Sequence, residues 1–310
     1  MKKNIVISGP MNSGKTENKI KPLVKELIKE NKSFLVLDAK EEYLEYKEQL
    51  ENQGYNVHIL DLRNPANSNA SFNPLIKPYE LYKSGNIDAA IEMLQSITNA
   101  IFVSGRKTTE EFWDNSAASF MNAMTLLFFK EESDMKNITI ANVYKHTMEL
   151  SKEKSVAMIE MFEKLDALDP IYIFGSATVF APAETKGGII SNFQSKIDMF
   201  IAKPNLNKLI SNSRIPLDEK TAIFLINKDE GGVENVFARV IINQIADEVF
   251  NKKTPFTFIL DNYDSIVIPE YLYNYFCAAP ARGIYFVLAT RADIMKNNSN
   301  EQVFNCFEQK

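Results

Sequence analysis

The segment Gly9–Thr16, which reads Gly-Pro-Met-Asn-Ser-Gly-Lys-Thr, has the residue types and spacing of a phosphate-binding loop. It follows the apolar run Ile5–Ile7 and opens an amphipathic stretch, which is the strand–loop–helix context that this motif requires. Glycines allow backbone N–H groups to converge on phosphate oxygens, Lys15 supplies positive charge, and the Thr16 hydroxyl can ligate Mg²⁺. We therefore expect ATP and Mg²⁺ as cofactors, bound by Gly9, Pro10, Asn12, Ser13, Gly14, Lys15 and Thr16.

A magnesium site of this kind also needs the Walker B carboxylate, which follows an apolar strand. The run Phe258-Ile259-Leu260-Asp261 has that form, so Asp261 is predicted to hold the metal together with Thr16. Asp38 and Asp61 also end apolar runs, but they lie too early in the chain to be preferred. The alternative is that Asp261 only turns or caps the chain after its strand.

The residue after Asp261 is Asn262, where many ATPases have a glutamate that orients the attacking water. An amide cannot accept a proton as a carboxylate does. We therefore expect hydrolysis to be slow or to use another acid, with Glu184 and Glu230 as candidates. The sequence supports nucleotide binding better than turnover.

Arg291 follows the apolar run Ile284–Ala289, at the strand end where a parallel sheet also places the phosphate loop and Asp261. A guanidinium there could contact the γ-phosphate or act across a subunit boundary. The alternative is a surface arginine that pairs with Asp293 or solvent, and Arg282, before the same run, is the reserve candidate. The predicted catalytic residues are therefore Lys15, Asp261 and Arg291.

Composition excludes several classes of function. The 310 residues carry 35 Lys and Arg against 40 Asp and Glu, a net charge of −5, which does not suit non-specific coating of nucleic acid. No apolar run approaches the roughly 18 residues of a membrane-spanning helix. Cys277 and Cys306 cannot build a disulfide framework, so a reducing cytoplasm is expected. His58 and His146 are the only histidines, and nothing around them suggests a zinc cluster or a Ser-His-Asp triad.

Apolar periodicity divides the chain into α/β and helical parts. Residues 1–75 alternate apolar runs with amphipathic stretches, a β-α-β-α-β pattern that favours a mostly parallel sheet covered by helices. In residues 76–200 the apolar positions recur at three- and four-residue spacing, as in Trp113–Phe128, which predicts helices. Strand patterns then return, so we predict an α/β nucleotide-binding domain of 1–75 and 201–310, interrupted by an all-α domain at 76–200.

Further motifs extend along nearly the whole chain. Pro22 lies in the predicted helix after the phosphate loop, where an interior proline usually costs about 3 kcal/mol. The others are Val36–Tyr43, Gly54–Asp61, Phe72–Leu75, Phe112-Trp113 and, more weakly, Lys186–Ser191 and Asp261. In this order the set resembles the type IV coupling proteins of conjugative DNA transfer, the TraG/TraD-like branch of the FtsK/HerA ATPase superfamily.

This resemblance implies a RecA-like P-loop ATPase domain interrupted by an all-helical domain. It also implies a coupling protein or DNA-translocation motor that pumps single-stranded DNA with its relaxase, or another secretion substrate, into a type IV secretion or conjugation channel. The implied partners are channel proteins and further copies of the chain in a ring, with a hexamer as one option for the full-length assembly. Relatives are anchored at the cytoplasmic face of the membrane by helices that precede the loop, so this chain would be a soluble, cytoplasmic fragment or a trimmed relative.

Two departures from the family pattern affect the expected activity. The family usually has a glutamate after the Walker B aspartate and a glutamine just after the following strand, where this chain has Asn262 and Arg291. A hydrolysis-deficient nucleotide-binding scaffold of the same transfer machinery is therefore the alternative to an active motor. A small-molecule kinase is less favoured, because kinases ordinarily clamp phosphate with several arginines, and the arginines here are scattered.

Overall fold

The chain forms two compact units. A computed structural model describes residues 3–102, 111–211, 213–217, 219–229, 232–261, 263–266, 271–291 and 306–309. Unit 1 combines Met1–Ala70 with Ile215–Lys310, and unit 2 is Ser71–Arg214. Residues 201–214, which the periodicity grouped with the nucleotide-binding domain, thus pack with the helical unit, where the Phe72 N–H donates to the Leu209 carbonyl at 2.9 Å.

Unit 1 is built on a parallel sheet. Its described strands are β1 (Asn4–Ser8), β2 (Phe34–Leu37), β3 (Asn56–Asp61), β4 (Thr221–Ile226), β5 (Phe256–Leu260), β6 (Ile284–Thr290) and β7 (Phe307–Gln309). They lie in the order β3-β4-β2-β5-β6-β1-β7, and every pairing is parallel. The first six are largely apolar, as expected for strands that are covered on both faces. The predicted α/β fold class is confirmed, and β7 is a strand that the apolar pattern does not indicate.

The strand register brings several chain segments to one edge of the sheet. Strand β6 lies between β1 and β5, with Ser8 opposite Thr290. Strand β2 lies on the other side of β5, with Leu37 opposite Leu260. Because parallel strands end at the same edge, the residues that follow these four strands lie at that edge: Gly9, Asp38, Asp261 and Arg291.

The helices account for most of the remaining described residues. They are α1 (Lys21–Lys29), α2 (Lys47–Asn52), α3 (Ile76–Lys83), α4 (Ile87–Phe102), α5 (Glu111–Glu131), α6 (Ile140–Leu150), α7 (Val156–Phe162), α8 (Pro170–Val179), α9 (Ala183–Ile201), α10 (Pro204–Leu209), α11 (Val233–Lys252) and α12 (Tyr271–Ala278). Helices α3 to α10 form unit 2, and the others belong to unit 1. Within the described part of the chain, no helix is both long and apolar enough to cross a bilayer.

The helix after the phosphate loop begins with a π-helical turn. Thr16–Ile20 forms this turn, which ends with the Lys21 N–H donating to the Thr16 carbonyl. Helix α1 then starts at Lys21, so Pro22 occupies its second position rather than its interior. The preceding turn is also helical, so Pro22 lies where the hydrogen-bond pattern changes from π to α. The interior proline expected from the sequence thus lies at a change of helical register, which explains how Pro22 is accommodated.

Helix α5 is the centre of unit 2, where it packs against α4, α8 and α9. Its apolar stripe is buried at Ala117, Phe120, Met121, Met124 and Leu127. Between α4 and α5, the buried Thr98 hydroxyl hydrogen-bonds to Oδ1 of Asn122 at 3.1 Å. These five side chains lie in the core, whereas Trp113, at the start of the same run, is 37% exposed.

The Phe112-Trp113 and Lys186–Ser191 motifs meet between α5 and α9. A Cβ on Gly188 would lie 2.6 Å from Cζ3 of Trp113, so the indole packs directly on the α9 backbone. The neighbouring Asp114 accepts a hydrogen bond from Nδ2 of Asn192 at 3.0 Å. Close packing and a polar contact therefore join these two helices side by side.

A disulfide attaches the last described strand to the rest of unit 1. Cys277 in α12 is bonded to Cys306, with 5.2 Å between their Cα atoms, and β7 follows immediately. β7 pairs with β1 along Asn4–Val6. The sequence analysis did not pair these cysteines and expected a reducing cytoplasm, an expectation that the disulfide does not support, because such bonds persist mainly in oxidising environments.

Candidate nucleotide-binding site

The phosphate loop is a tight turn between β1 and the π-helical turn. Asn12 and Gly14 have φ values of 59° and 76°, and the Ser13 N–H donates to the Pro10 carbonyl at 3.3 Å. Turns with left-handed residues direct successive N–H groups into a concave anion-binding surface. The φ of 76° at Gly14 is a conformation that other residues rarely adopt, so the backbone favours glycine there.

The Lys15 side chain folds back over its own loop. Its ammonium donates to the carbonyls of Gly9 and Pro10, at 2.8 Å in each case. These contacts hold a compact positive charge at the loop, where a phosphate would be received. The role of Lys15 in binding phosphate stays a prediction.

Asp261 contacts the phosphate loop directly. The Thr16 hydroxyl donates to Oδ2 of Asp261 at 2.9 Å, which joins the two predicted magnesium ligands. The Tyr43 hydroxyl donates to the same oxygen at 2.6 Å. The sequence analysis did not identify Tyr43 as a site residue, and its only signal was a place in the Val36–Tyr43 motif.

Asp38 and Asp61, the strand ends that were not preferred, are buried and accept hydrogen bonds from the turns that follow them. The carboxylate of Asp38 accepts from the backbone N–H groups of Lys40, Glu42 and Tyr43 at 3.0 to 3.1 Å. That of Asp61 accepts from the N–H groups of Arg63 and Asn64 at 3.0 and 2.9 Å. Both carboxylates therefore stabilise turns.

Negative charge accumulates around Asp261. Burial raises the pKa of Asp38. The three backbone N–H groups lower this pKa, and the charge of Asp261 raises it. Burial also raises the pKa of the half-buried Glu42, Lys40 lowers it, and Asp261 raises it again. A divalent cation at Asp261 would relieve this repulsion.

Arg291 lies at the same edge of the sheet and is paired with Asp264. Its backbone N–H and Nε donate to Oδ2 of Asp264 at 2.8 and 3.3 Å. The preceding residue, Thr290, accepts a hydrogen bond from the Gly9 N–H at 3.2 Å, so the end of β6 adjoins the start of the phosphate loop. The Arg291 side chain is 48% exposed, whereas that of Asp264 is 3% exposed. Asp293, the partner considered from the sequence, lies outside the described residues.

The remaining candidates from the sequence are Arg282, Glu184, Asn262 and Glu230. Arg282 is at the amino-terminal end of β6, where its guanidinium lies over the Phe250 ring at 5.3 Å. Glu184 is exposed in the first turn of α9, in unit 2. Asn262 and Glu230 lie outside the described residues.

The site suits a magnesium nucleotide better than a metal ion alone. Among the described residues, no group of three or more His, Cys, Asp or Glu side chains could hold a metal by itself. Mg²⁺ is commonly held by one or two protein oxygens together with waters and substrate phosphates. Thr16 and Asp261 supply such a pair beside a loop shaped for phosphate.

Comparison with solved structures identifies the same fold. An unbound form of the bacterial conjugative coupling protein TrwB superposes with a TM-score of 0.60 at 9% identity, covering 98% of this chain and 64% of that one. TrwB in complex with the ATP analogue ADPNP gives a TM-score of 0.66 at 10% identity, covering 98% of this chain and 68% of that one. VirB4 of Thermoanaerobacter pseudethanolicus gives a TM-score of 0.58 at 11% identity, covering 98% of this chain and 74% of that one.

The chain thus spans 64% of the length of the unbound TrwB chain. No curated protein sequence matches it. The protein family described as "Type IV secretory system Conjugative DNA transfer", however, matches residues 2–266, which include the phosphate loop, Asp261 and all of unit 2. This chain is a member of that type IV secretory system conjugative DNA transfer family.

Proposed function

We propose that this chain binds ATP and Mg²⁺ at the carboxyl edge of its sheet and acts as a coupling ATPase in DNA transfer. The observation that carries the proposal is the hydrogen bond between Thr16 and Asp261, because it joins the phosphate loop to the Walker B carboxylate. Lys15 adds a positive charge beside these residues. The conjugative DNA transfer family supplies the biological context.

Each residue has a role in this proposal. The loop residues Gly9, Pro10, Asn12, Ser13 and Gly14 form the cradle around the phosphates, and Lys15 neutralises their charge. Thr16 and Asp261 hold Mg²⁺, which when bound stabilises charge on the phosphates. Arg291 senses the γ-phosphate. TrwB has been solved with ADPNP and with ADP and Mg²⁺, which supports a similar cofactor here.

The proposed cargo is single-stranded DNA with its relaxase, delivered to the channel proteins of a type IV secretion system. Loops in the channel of a ring need only a few lysine contacts with phosphate, so a net charge of −5 is compatible with DNA handling. We place the active form in a homo-oligomeric ring, hexameric in the full-length assembly, at the cytoplasmic face of the membrane.

A nucleotide-binding scaffold that does not hydrolyse ATP is the second candidate. Asn262 favours it, because this residue follows Asp261 where a glutamate would orient water. Phosphate release measured with and without single-stranded DNA separates the two candidates. Stimulated release supports the motor, and bound ATP without release supports the scaffold.

Lys15→Ala tests nucleotide binding, with the exposed Lys19→Ala as a matched control in the following turn. Loss of a charged contact with phosphate should weaken ATP binding by roughly 10- to 100-fold, because such hydrogen bonds contribute about 1.5–3 kcal/mol. Calorimetry measures the affinity, and circular dichroism checks that the fold is retained. Unchanged affinity in Lys15→Ala, or a wild type that binds no nucleotide with Mg²⁺, would contradict the proposal.

A further inference from the structure

Tyr43 is a buried residue whose polar end reaches the metal site. The side chain is 0% exposed, and its hydroxyl donates to Oδ2 of Asp261 at 2.6 Å. A tyrosine hydroxyl ordinarily ionises near pH 10, so at neutral pH it carries the proton that this hydrogen bond needs. Tyr43 is therefore a permanent hydrogen-bond donor to this carboxylate.

Rigid elements fix the position of the Tyr43 hydroxyl. Its backbone N–H donates to Oδ2 of Asp38 at 3.0 Å, and Asp38 directly follows β2. Strands β2 and β5 pair with Leu37 opposite Leu260, which places the residues after the two strands side by side. The contact between Tyr43 and Asp261 is thus set by strand register and by the Asp38 turn.

The two described residues that donate to Asp261 use the same carboxylate oxygen. Thr16 and Tyr43 each donate to Oδ2, at 2.9 and 2.6 Å. Two donors on one oxygen restrict rotation of the carboxyl group. Within the described part of the chain no donor reaches Oδ1, which leaves that oxygen for a cation or a water bound to it. We propose that Tyr43 is a positioning residue for Mg²⁺, which acts by holding Asp261 in the orientation that receives the metal. This inference rests on the proposed function, since it assumes that a magnesium nucleotide binds here.

The variant Tyr43→Phe removes the hydroxyl and keeps the ring in its packed position. We expect the complex of protein and ADP to bind Mg²⁺ about 10- to 100-fold more weakly, the range found when hydrogen-bond partners of metal ligands are removed. Affinity for ADP without metal should stay unchanged, because the phosphate loop and Lys15 are intact. Titration of Mg²⁺ into the ADP complex, followed with a fluorescent ADP analogue, measures both quantities.

Tyr55→Phe is the matched control. Tyr55 is also a buried tyrosine of unit 1, 5% exposed, but its hydroxyl donates to the Lys32 carbonyl at 3.1 Å. The Tyr55→Phe variant should bind Mg²⁺ with the affinity of the wild type, even if its thermal stability falls. p-Aminophenylalanine at position 43 replaces the O–H donor by N–H and should restore most of the Mg²⁺ affinity, which also tests the contact if Tyr43→Phe does not fold.

The outcomes separate this inference from the proposed function. Equal Mg²⁺ affinity in wild type, Tyr43→Phe and Tyr55→Phe would overturn the role of Tyr43 and leave nucleotide binding intact. An equal loss of ADP affinity with and without metal in Tyr43→Phe would also overturn it, since that result indicates general damage to the loop. A wild type that binds no nucleotide would remove the proposed function and this inference together.

Discussion

Asp264 holds Arg291 through two hydrogen bonds, from the backbone N–H at 2.8 Å and from Nε at 3.3 Å. Its other carboxylate oxygen accepts the Thr290 hydroxyl, so a single acidic side chain fixes the end of β6. Asp264 lies in the short helical turn that follows Asp261. The predicted metal carboxylate, Asp261, and the arginine are therefore attached to adjoining strand ends, and Asp264 fixes the position of Arg291.

Arg291→Ala should weaken ATP binding more than ADP binding, because only ATP presents a γ-phosphate. If the guanidinium contacts that phosphate, the loss for ATP should be about 10- to 100-fold. Calorimetry with ATP and ADP in the presence of Mg²⁺ measures the difference. Arg282→Ala is the control, because Arg282 lies at the other end of β6 over Phe250. Equal losses for ATP and ADP in Arg291→Ala would exclude a γ-phosphate sensor.

Asn262→Glu should increase ATP turnover from a slow wild-type rate. A carboxylate after Asp261 could orient and deprotonate the attacking water, and general bases typically contribute about 10²- to 10⁴-fold. Steady-state phosphate release reports the rate, and Asn262→Gln controls for side-chain length without adding a carboxylate. A fast wild type would show that another residue serves as the base, and Glu184 and Glu230 would then be substituted first.

Gly188→Ala should destabilise unit 2, whereas Gly187→Ala should not. An added Cβ at Gly188 meets Trp113 at 2.6 Å, and overpacking of this kind costs about 1–3 kcal/mol. At the exposed Gly187 nothing lies within 4 Å, and alanine favours a helix interior by about 0.5–1 kcal/mol. Trp113 is the only tryptophan, so its fluorescence follows urea unfolding of this unit directly. Similar midpoints for the two variants would show that the indole moves aside freely.

Tyr55→Phe should reduce the loss of stability at alkaline pH. Burial raises the pKa of Tyr55 to about 12 in the folded protein, whereas a tyrosine in the unfolded chain ionises near 10. The contribution of Tyr55 is therefore complete below pH 10 and is lost as the pH rises towards 12. In this window the free energy of unfolding should fall less steeply with pH in the variant than in the wild type. The two slopes should differ by at most about 1.4 kcal/mol per pH unit.

Urea unfolding of wild type and Tyr55→Phe at a series of pH values from 8 to 11.5 measures that slope. Other groups that titrate in this range are shared by both proteins and cancel in the difference. Parallel curves would show that Tyr55 ionises equally in the folded and unfolded states.

Local patterns in the sequence were sufficient to predict most of the fold. Six strands are apolar runs because the parallel sheet buries them on both faces, and α5 shows its buried stripe at helical spacing. β7 carries no such pattern, since only Phe307 of its three residues is apolar. The strand order also lies beyond local patterns, because it depends on pairings between segments far apart in the chain.

The candidate site could be assigned from the sequence where a residue belongs to a recognisable local pattern, such as the phosphate loop or the apolar run before Asp261. Gly9–Thr16 is one segment, so its chemistry could be assigned from spacing alone. Tyr43 and Asp264 could not be found in this way, because their partners, Asp261 and Arg291, are brought to them by the register of β2, β5 and β6. A hydrogen bond across neighbouring strands leaves no trace in the order of residues.

The pairing of β7 with β1 has a practical consequence for any shortened version of this protein. β1 carries the phosphate loop, and β7 covers the side of it that faces away from β6. If the chain is truncated just before Phe307, β7 is lost and β1 becomes the outer strand of the sheet. The unpaired N–H and C=O groups of β1 could then pair with another molecule. Self-association of such truncated material would then reflect the exposed backbone of β1 rather than the ring of subunits proposed above.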